Sequence, residues 1–156
     1  MDNSEFGHVL GLGHDLVDLE AFGRQLAMPG TRMAGLFSPR EHRQAEQRAM
    51  LKHDDPATHL AVRWAGKESV LKAWSQALGS EPSPYGMDDF LWSAVEILDD
   101  SRGRPGVHLK STLKAMLYDS LYSAHSQSDR VQLRWHIALS HDGSVASAVV
   151  LLCSCG

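Results

Sequence analysis

Leu60, Trp64, Leu71, Trp74 and Leu78 fall on one stripe when residues are set about 100° apart, which predicts a long amphipathic helix. Asp55 supplies an N-cap for it, Pro56 suits its first turn, and Gly79 marks its stop. Upstream, "FSPREHRQAEQRAMLK" opens with Ser38, Pro39 and Glu41 in capping-box order and predicts a polar, exposed helix from about Pro39 to Leu51. In "HVLGLGHDLVDL" the apolar Val9, Leu10 and Leu12 are relieved by Gly11 and Gly13. Leu16, Val17 and Leu19 then surround two aspartates, so the pattern reads as a short strand running into a helix near Asp15. Pro29 and Gly30 break the chain before the polar helix.

Beyond the central helix, "SEPSPYG" is turn-rich, "FLWSAVEILDD" reads as a strand, "SRGRPGV" as a tight turn and "VHLK" as a short partner strand. "STLKAMLYDSLYSAHSQ" returns to helical spacing, with Ser111 as its cap. "RVQLRWHIALSH" and "SVASAVVLLCS" flank His141, Asp142 and Gly143 as the arms of a hairpin. Strands and helices are thus mixed, with at least one antiparallel hairpin. That pattern favours an α+β domain over a doubly wound sheet, with no internal repeat.

A chain of 156 residues, 43% of them hydrophobic, is large enough to bury a core and predicts one domain spanning residues 1–156. No stretch approaches the roughly 20 apolar residues that cross a bilayer, and the first residues lack the basic start and apolar run of a signal peptide, so a cytoplasmic protein is expected. Cys153 and Cys155 have no second pair to complete a zinc site and are read as free thiols. A formal net charge of −4 argues against a general nucleic-acid binder but leaves room for small phosphate-bearing ligands, which need only a local cluster of cations.

Against this background the charges on the central helix stand out. Lys67 falls inside the apolar stripe, Glu68 at its edge, and Lys72 one turn beyond Glu68. One reading is an ordinary i, i+4 pair between Glu68 and Lys72, with the Lys67 stem lying across apolar surface. The other is a cleft in which a carboxylate flanked by lysines holds a metal ion and meets phosphate oxygens, an arrangement that suits Mg²⁺. Asp15, after the glycine-relieved strand, is the candidate second carboxylate. "GLGHD" lacks the third glycine of a dinucleotide fingerprint. Asp18 reads equally well as a first-turn helix acid, and His141 as a turn residue.

In order and spacing, "GLGHDLVDL", "FSPRE", "RWAGKESVLKAW", "RGRP" and "IALSHDGSVASAVV" resemble the holo-acyl-carrier-protein synthase group of 4′-phosphopantetheinyl transferases. The Trp-rich helix and "MPGTRMAGLFSPRE" look most like actinobacterial members. The resemblance implies an antiparallel sheet packed on a long central helix, and a homotrimer with active sites between subunits. It also implies transfer of phosphopantetheine from coenzyme A to a serine of an apo acyl carrier protein or carrier domain of a fatty acid synthase. Carried over residue by residue, it makes Asp15 and Glu68 the Mg²⁺ ligands, and Glu68 and Lys72 the catalytic residues. Arg63 and Lys67, with Lys72, would face the coenzyme A phosphates, Ser140 and His141 its nucleotide end, and Arg104 and Pro105 the adenine. The sequence departs from the family at Asp18, Glu20 and Ala21, where basic residues often meet the carrier, leaving Arg24, Arg32 and Arg40 for docking. It departs again at Asp54 and Asp55, where Lys52 and His53 are the nearby substitutes for a 3′-phosphate clamp.

Overall fold

The computed structural model describes residues 7–125 and 131–155. Five strands and four α-helices follow in the order β1 (His8–Asp18), α1 (Leu19–Ala27), α2 (Pro39–Lys52), α3 (Pro56–Leu78), β2 (Val95–Asp99), β3 (Pro105–Leu109), α4 (Ser111–His125), β4 (Gln132–Asp142) and β5 (Val145–Cys155). β1, β5 and β4 form one antiparallel sheet in that spatial order, and β2 and β3 form a separate antiparallel hairpin. The α+β class is as the sequence predicts, and α3 is the central helix.

Local signals explain most boundaries. Ser38 and Glu41 close a reciprocal capping box at the start of α2, and Asp55 accepts from Ala57 N at 2.8 Å to cap α3. Gly79, with φ of 64°, stops α3 in a conformation that side-chain-bearing residues avoid. Several boundaries move, among them the start of β3, which is Pro105 rather than Val107. The first strand continues through Asp15 to Asp18, and helix α1 starts only there, because Asp18 is its N-cap and accepts from Ala21 N. The stretch Trp92–Ala94 is a 3-10 turn, so β2 begins at Val95. Lys114 N donates to Lys110 O, which makes Ser111 the first residue of α4 rather than its cap. Ser126 and Gln127, the end of that predicted helix, lie outside the described residues.

Helix α3 is buried on nearly all sides, and this explains why an apolar stripe describes it incompletely. One face, Ala61, Ala65, Ser69, Ala73 and Ala77, is a ladder of small side chains at i, i+4 spacing, all buried. It lies against β1 and β5 so closely that a Cβ at Gly13 would overlap Ser69 O, and one at Gly11 would overlap Ala73 O. Ser69 Oγ donates to Ala148 O at 3.1 Å, tying the same face to β5. The two glycines therefore serve helix-on-strand packing, not phosphate binding.

The C-terminal half of α3 contributes Val70, Leu71, Trp74 and Leu78 to a core shared with Ile97, Leu117, Val150 and Leu152. Its N-terminal half contributes Leu60 and Ala61 to a smaller core with Phe22, Phe37 and Ala45. No described helix is long and apolar enough to cross a membrane.

Gly13→Ala should lower stability by about 2 kcal/mol or more, since backbone must move to admit the methyl group. Gly23→Ala, in the middle of α1 with nothing within 4 Å of the added carbon, should raise it by about 0.5–1 kcal/mol. Urea unfolding of both variants at one protein concentration measures the contrast.

Candidate active site

Because β1 runs past α3 with Gly13 set against Ser69 and Ala73, the next inward-facing residue of the strand, Asp15, arrives beside Glu68 and Lys72. Asp15 is 8% exposed. Lys72 Nζ donates to Asp15 Oδ1 at 2.8 Å and to His14 O at 3.0 Å, so its ion pair crosses to β1 and is not the i, i+4 pair with Glu68. The other oxygen, Asp15 Oδ2, is buried and accepts no hydrogen bond.

Glu68 is half-buried next to that carboxylate. Burial, and then the bond and the charge of Asp15, push its carboxyl up to about 7, with Lys72 pulling the other way. Protonated, Glu68 donates to Asp15; ionised, it faces a like charge.

Glu68 and Lys72 also line a cavity of about 530 Å³ with Leu71, Ser75, Ser83, Tyr85, Met87 and Trp92. One wall is α3, and the other is the irregular segment that joins α3 to β2. Sequence reasoning missed Tyr85, Met87 and Trp92. The available signal was a turn-rich loop that nonetheless carries Tyr85, Phe90 and Trp92, since aromatic residues on a connecting loop are more costly to expose than loops usually tolerate.

Arg63 and Lys67 are not brought to this cleft. Lys67 is fully buried and pairs with Glu41, itself fully buried, at 2.9 Å. Arg63, 4% exposed, donates to Ile97 O, His59 O, Gln44 Oε1 and Asp99 Oδ2. Neither has a face left for a phosphate, which corrects the role the resemblance implied for them. Burial of an ammonium requires a partner, and Glu41 is that partner as well as the capping residue of α2.

Ser140 and His141 lie near the end of β4 and point to opposite faces of the sheet. Ser140 is opposite Ser147, and the His141 ring lies 6.2 Å from that of His59 near the start of α3. Nine residues along the helix separate His59 from Glu68, roughly 13 Å. Arg104 and Pro105 line a different cavity of about 560 Å³, with Arg40, Gln44, Asp99 and His108, where Arg104 pairs with Asp100 at 2.7 Å. Among the described residues, the adenine-end pair Arg104 and Pro105 and the Glu68 cleft belong to different pockets.

The departures from the family also have a local cause. Asp54 accepts from His59 Nε2 at 2.7 Å, Asp55 caps α3 and Asp18 caps α1, while Arg24 pairs with Glu20 and Arg40 with Glu96.

The fit to a divalent cation is good. Two carboxylates converge, one buried oxygen has no donor other than a protonated Glu68, and that proton is one a cation could replace. Among the described residues no cluster of three or more His, Cys, Asp or Glu could hold a metal. Mg²⁺ suits two protein ligands, because it retains water and takes further oxygens from a bound phosphate.

In metal-free protein the raised carboxyl has a sign that can be checked. Above the ordinary glutamate value of 4.5 the unfolded chain loses this proton while the native state keeps it up to about 7. The stability it contributes is therefore present at low pH and lost as pH rises across that window. Glu68→Gln escapes the loss. With a chelator present the variant should melt above the wild type at pH 8, by roughly 2–4 °C for an effect on the order of 1 kcal/mol after screening of this half-exposed group. The gap should shrink at pH 5, as calorimetry would show.

A family model described as the 4′-phosphopantetheinyl transferase superfamily matches residues 11–146. A holo-[acyl-carrier-protein] synthase of Bifidobacterium animalis is 50% identical over 147 residues, covering 92% of this chain and 97% of the relative. One from Corynebacterium glutamicum is 35% identical over 144 residues, covering 92% and 98%. Among solved structures, a Chronobacterium ammoniagenes ACPS–CoA complex superposes with a TM-score of 0.77 at 34% identity, covering 92% of this chain and 96% of that one. The actinobacterial resemblance of the Trp-rich helix agrees with these relatives, and at such identity over almost the full length the chain belongs to the holo-[acyl-carrier-protein] synthase group of the 4′-phosphopantetheinyl transferase superfamily.

Proposed function

We propose that the protein transfers the 4′-phosphopantetheine group of coenzyme A to a serine of an apo acyl carrier protein or carrier domain, releasing adenosine 3′,5′-bisphosphate, as a Mg²⁺-dependent cytoplasmic enzyme serving fatty acid synthesis. The observation that carries the reading is the Asp15, Glu68 and Lys72 cluster at the mouth of a largely apolar cavity. It offers acidic oxygens for a divalent cation, an ammonium for the diphosphate, and an apolar trough for the arm.

In the reaction the serine Oγ forms a bond to the β-phosphorus, and the bond from that phosphorus to the bridging diphosphate oxygen breaks. Glu68 takes the serine proton, directly or through a water it orients. Lys72, 55% exposed and anchored to Asp15, can turn its ammonium toward the phosphoryl oxygens and offset the charge gathering there. Asp15 and Glu68 would hold Mg²⁺, which when bound supplies positive charge to the diphosphate.

Homotrimeric assembly belongs to the same reading. The outward face of β1 and β5 carries Leu12, Leu16, Val145 and Val149 at 48%, 61%, 40% and 40% exposure, an apolar face suited to a further copy of the chain. Sites between subunits would let Arg104 and Pro105 of one copy, with Ser140 and His141, complete the nucleotide pocket that a single subunit leaves divided.

Incubation with coenzyme A, Mg²⁺ and several apo carriers, followed by mass measurement, should show the carrier gaining one phosphopantetheine. Asp15→Asn and Glu68→Gln should stay folded and lose on the order of 10²-fold or more in rate. No gain with any carrier, or a fully active Glu68→Gln, would sink the assignment.

A further inference from the structure

We propose that Lys67 is a positioning residue that pins the loop forming the outer wall of the active-site cavity, rather than a ligand of phosphate. The inference rests on the proposed transferase reading only in its kinetic consequence.

The segment from Gly79 to Leu91 has no regular structure, yet Ser83, Tyr85 and Met87 on it, with Trp92 just beyond, form the cavity wall opposite Glu68. Few groups hold that wall in place. Aromatic rings do so in series: Trp74 to Tyr85 at 4.8 Å, Tyr85 to Phe90 at 5.1 Å, Phe90 to Trp92 at 4.7 Å and Trp92 to Trp64 at 4.7 Å between centroids. These ring contacts carry no hydrogen bond between the loop and α3.

Lys67 supplies such bonds. Its Nζ donates to Trp92 O at 3.0 Å and to Val95 O, the two carbonyls at the point where the loop enters β2. Its third partner is Glu41 at 2.9 Å, and its charge sits 5.4 Å from the centre of the Phe37 ring. Glu41 in turn accepts from Ser38 N at 2.8 Å and Ile97 N at 3.0 Å. An ammonium has three protons, and here each has an acceptor. Since residues 67 and 68 are adjacent on α3, the helix that carries Glu68 into the cavity also grips the far wall from beneath.

The double variant Lys67→Met with Glu41→Gln tests this. It removes the two bonds to carbonyl oxygens without stranding a buried charge, whereas Lys67→Met alone leaves Glu41 unpaired and should be much less stable. Expected for the double variant is a melting temperature above that of Lys67→Met, with chymotrypsin cleavage in the Tyr85 to Trp92 segment at least about fivefold faster than wild type. KM for coenzyme A should rise about tenfold while kcat stays within about threefold. Glu41→Gln alone takes the carboxylate from the buried ammonium and should lower stability, but it keeps the lysine on both carbonyls and should leave KM within about twofold of wild type.

A double variant with wild-type cleavage and KM would overturn the proposal, as would a Glu41→Gln protein whose KM rises as far as that of the double variant. If the wild type modifies no carrier, the transferase reading fails, but the cleavage rates still decide whether Lys67 pins the loop.

Discussion

The closeness of α3 to β1 is the constraint on which the rest depends. Helix and strand can approach this far only where neither carries a bulky side chain, and Gly11 and Gly13 face the ladder of Ser69, Ala73 and Ala77. The strand climbs about 6.7 Å for each inward-facing residue, and the helix about 6 Å for each i, i+4 step. The two repeats therefore stay in register for a few steps. With Gly13 fixed against Ser69 and Ala73, Asp15 has little choice of position, and its carboxylate lies next to Glu68 and Lys72. Packing alone thus brings together two acids that would separate in solution, and the Glu68 carboxyl is raised first by its burial there and then by Asp15.

The same helix separates two kinds of charge. Toward the cleft, Glu68 and Lys72 keep contact with solvent, so the Glu68 proton and the Lys72 ion pair can exchange with it. Toward α2 and β2, Lys67 and Arg63 are enclosed by Glu41, Gln44, Asp99 and backbone carbonyls, so their side chains are held in place. Gln44 reinforces that side by donating to Asp99 O at 2.9 Å and accepting from Asp99 N at 2.8 Å, as a neighbouring strand would. Rigid and responsive electrostatics thus share one helix, divided by which way each residue faces.

Much of this was legible in the sequence where the cause is local. Ser38 with Glu41, Asp55 with Pro56, and Gly79 each announce a helix end through a bond made within a few residues, and the structure contains those ends. The α+β class followed from helical spacing and the hairpin around Gly143. Asp15 could be put forward as a second carboxylate from its place after a glycine-relieved strand, but only the resemblance tied it to Glu68, because 53 positions separate them and no periodicity links a strand to a helix. The buried ends of Lys67 and Arg63 were hidden for the same reason. Lys67 in an apolar stripe did signal a missing partner, but Glu41 already had an evident task as a cap, and one side chain performing two tasks leaves no second trace in sequence.

The acidic residues that stand where the family resemblance leads one to look for basic ones follow from the same economy of local causes. Asp18 and Asp55 accept backbone N–H groups at the starts of α1 and α3, and Asp54 accepts from His59. A lysine or arginine has no acceptor and could do none of this. Of the exposed arginines nearby, Arg24 pairs with Glu20 and Arg40 with Glu96. Part of the charge around α1 and the start of α2 is thus offset over single contacts, and the field it casts falls away within about a Debye length. A partner approaching this surface would be guided little from a distance. Its recognition would depend on shape and on apolar groups within reach, such as the 59% exposed Met28 at the end of α1.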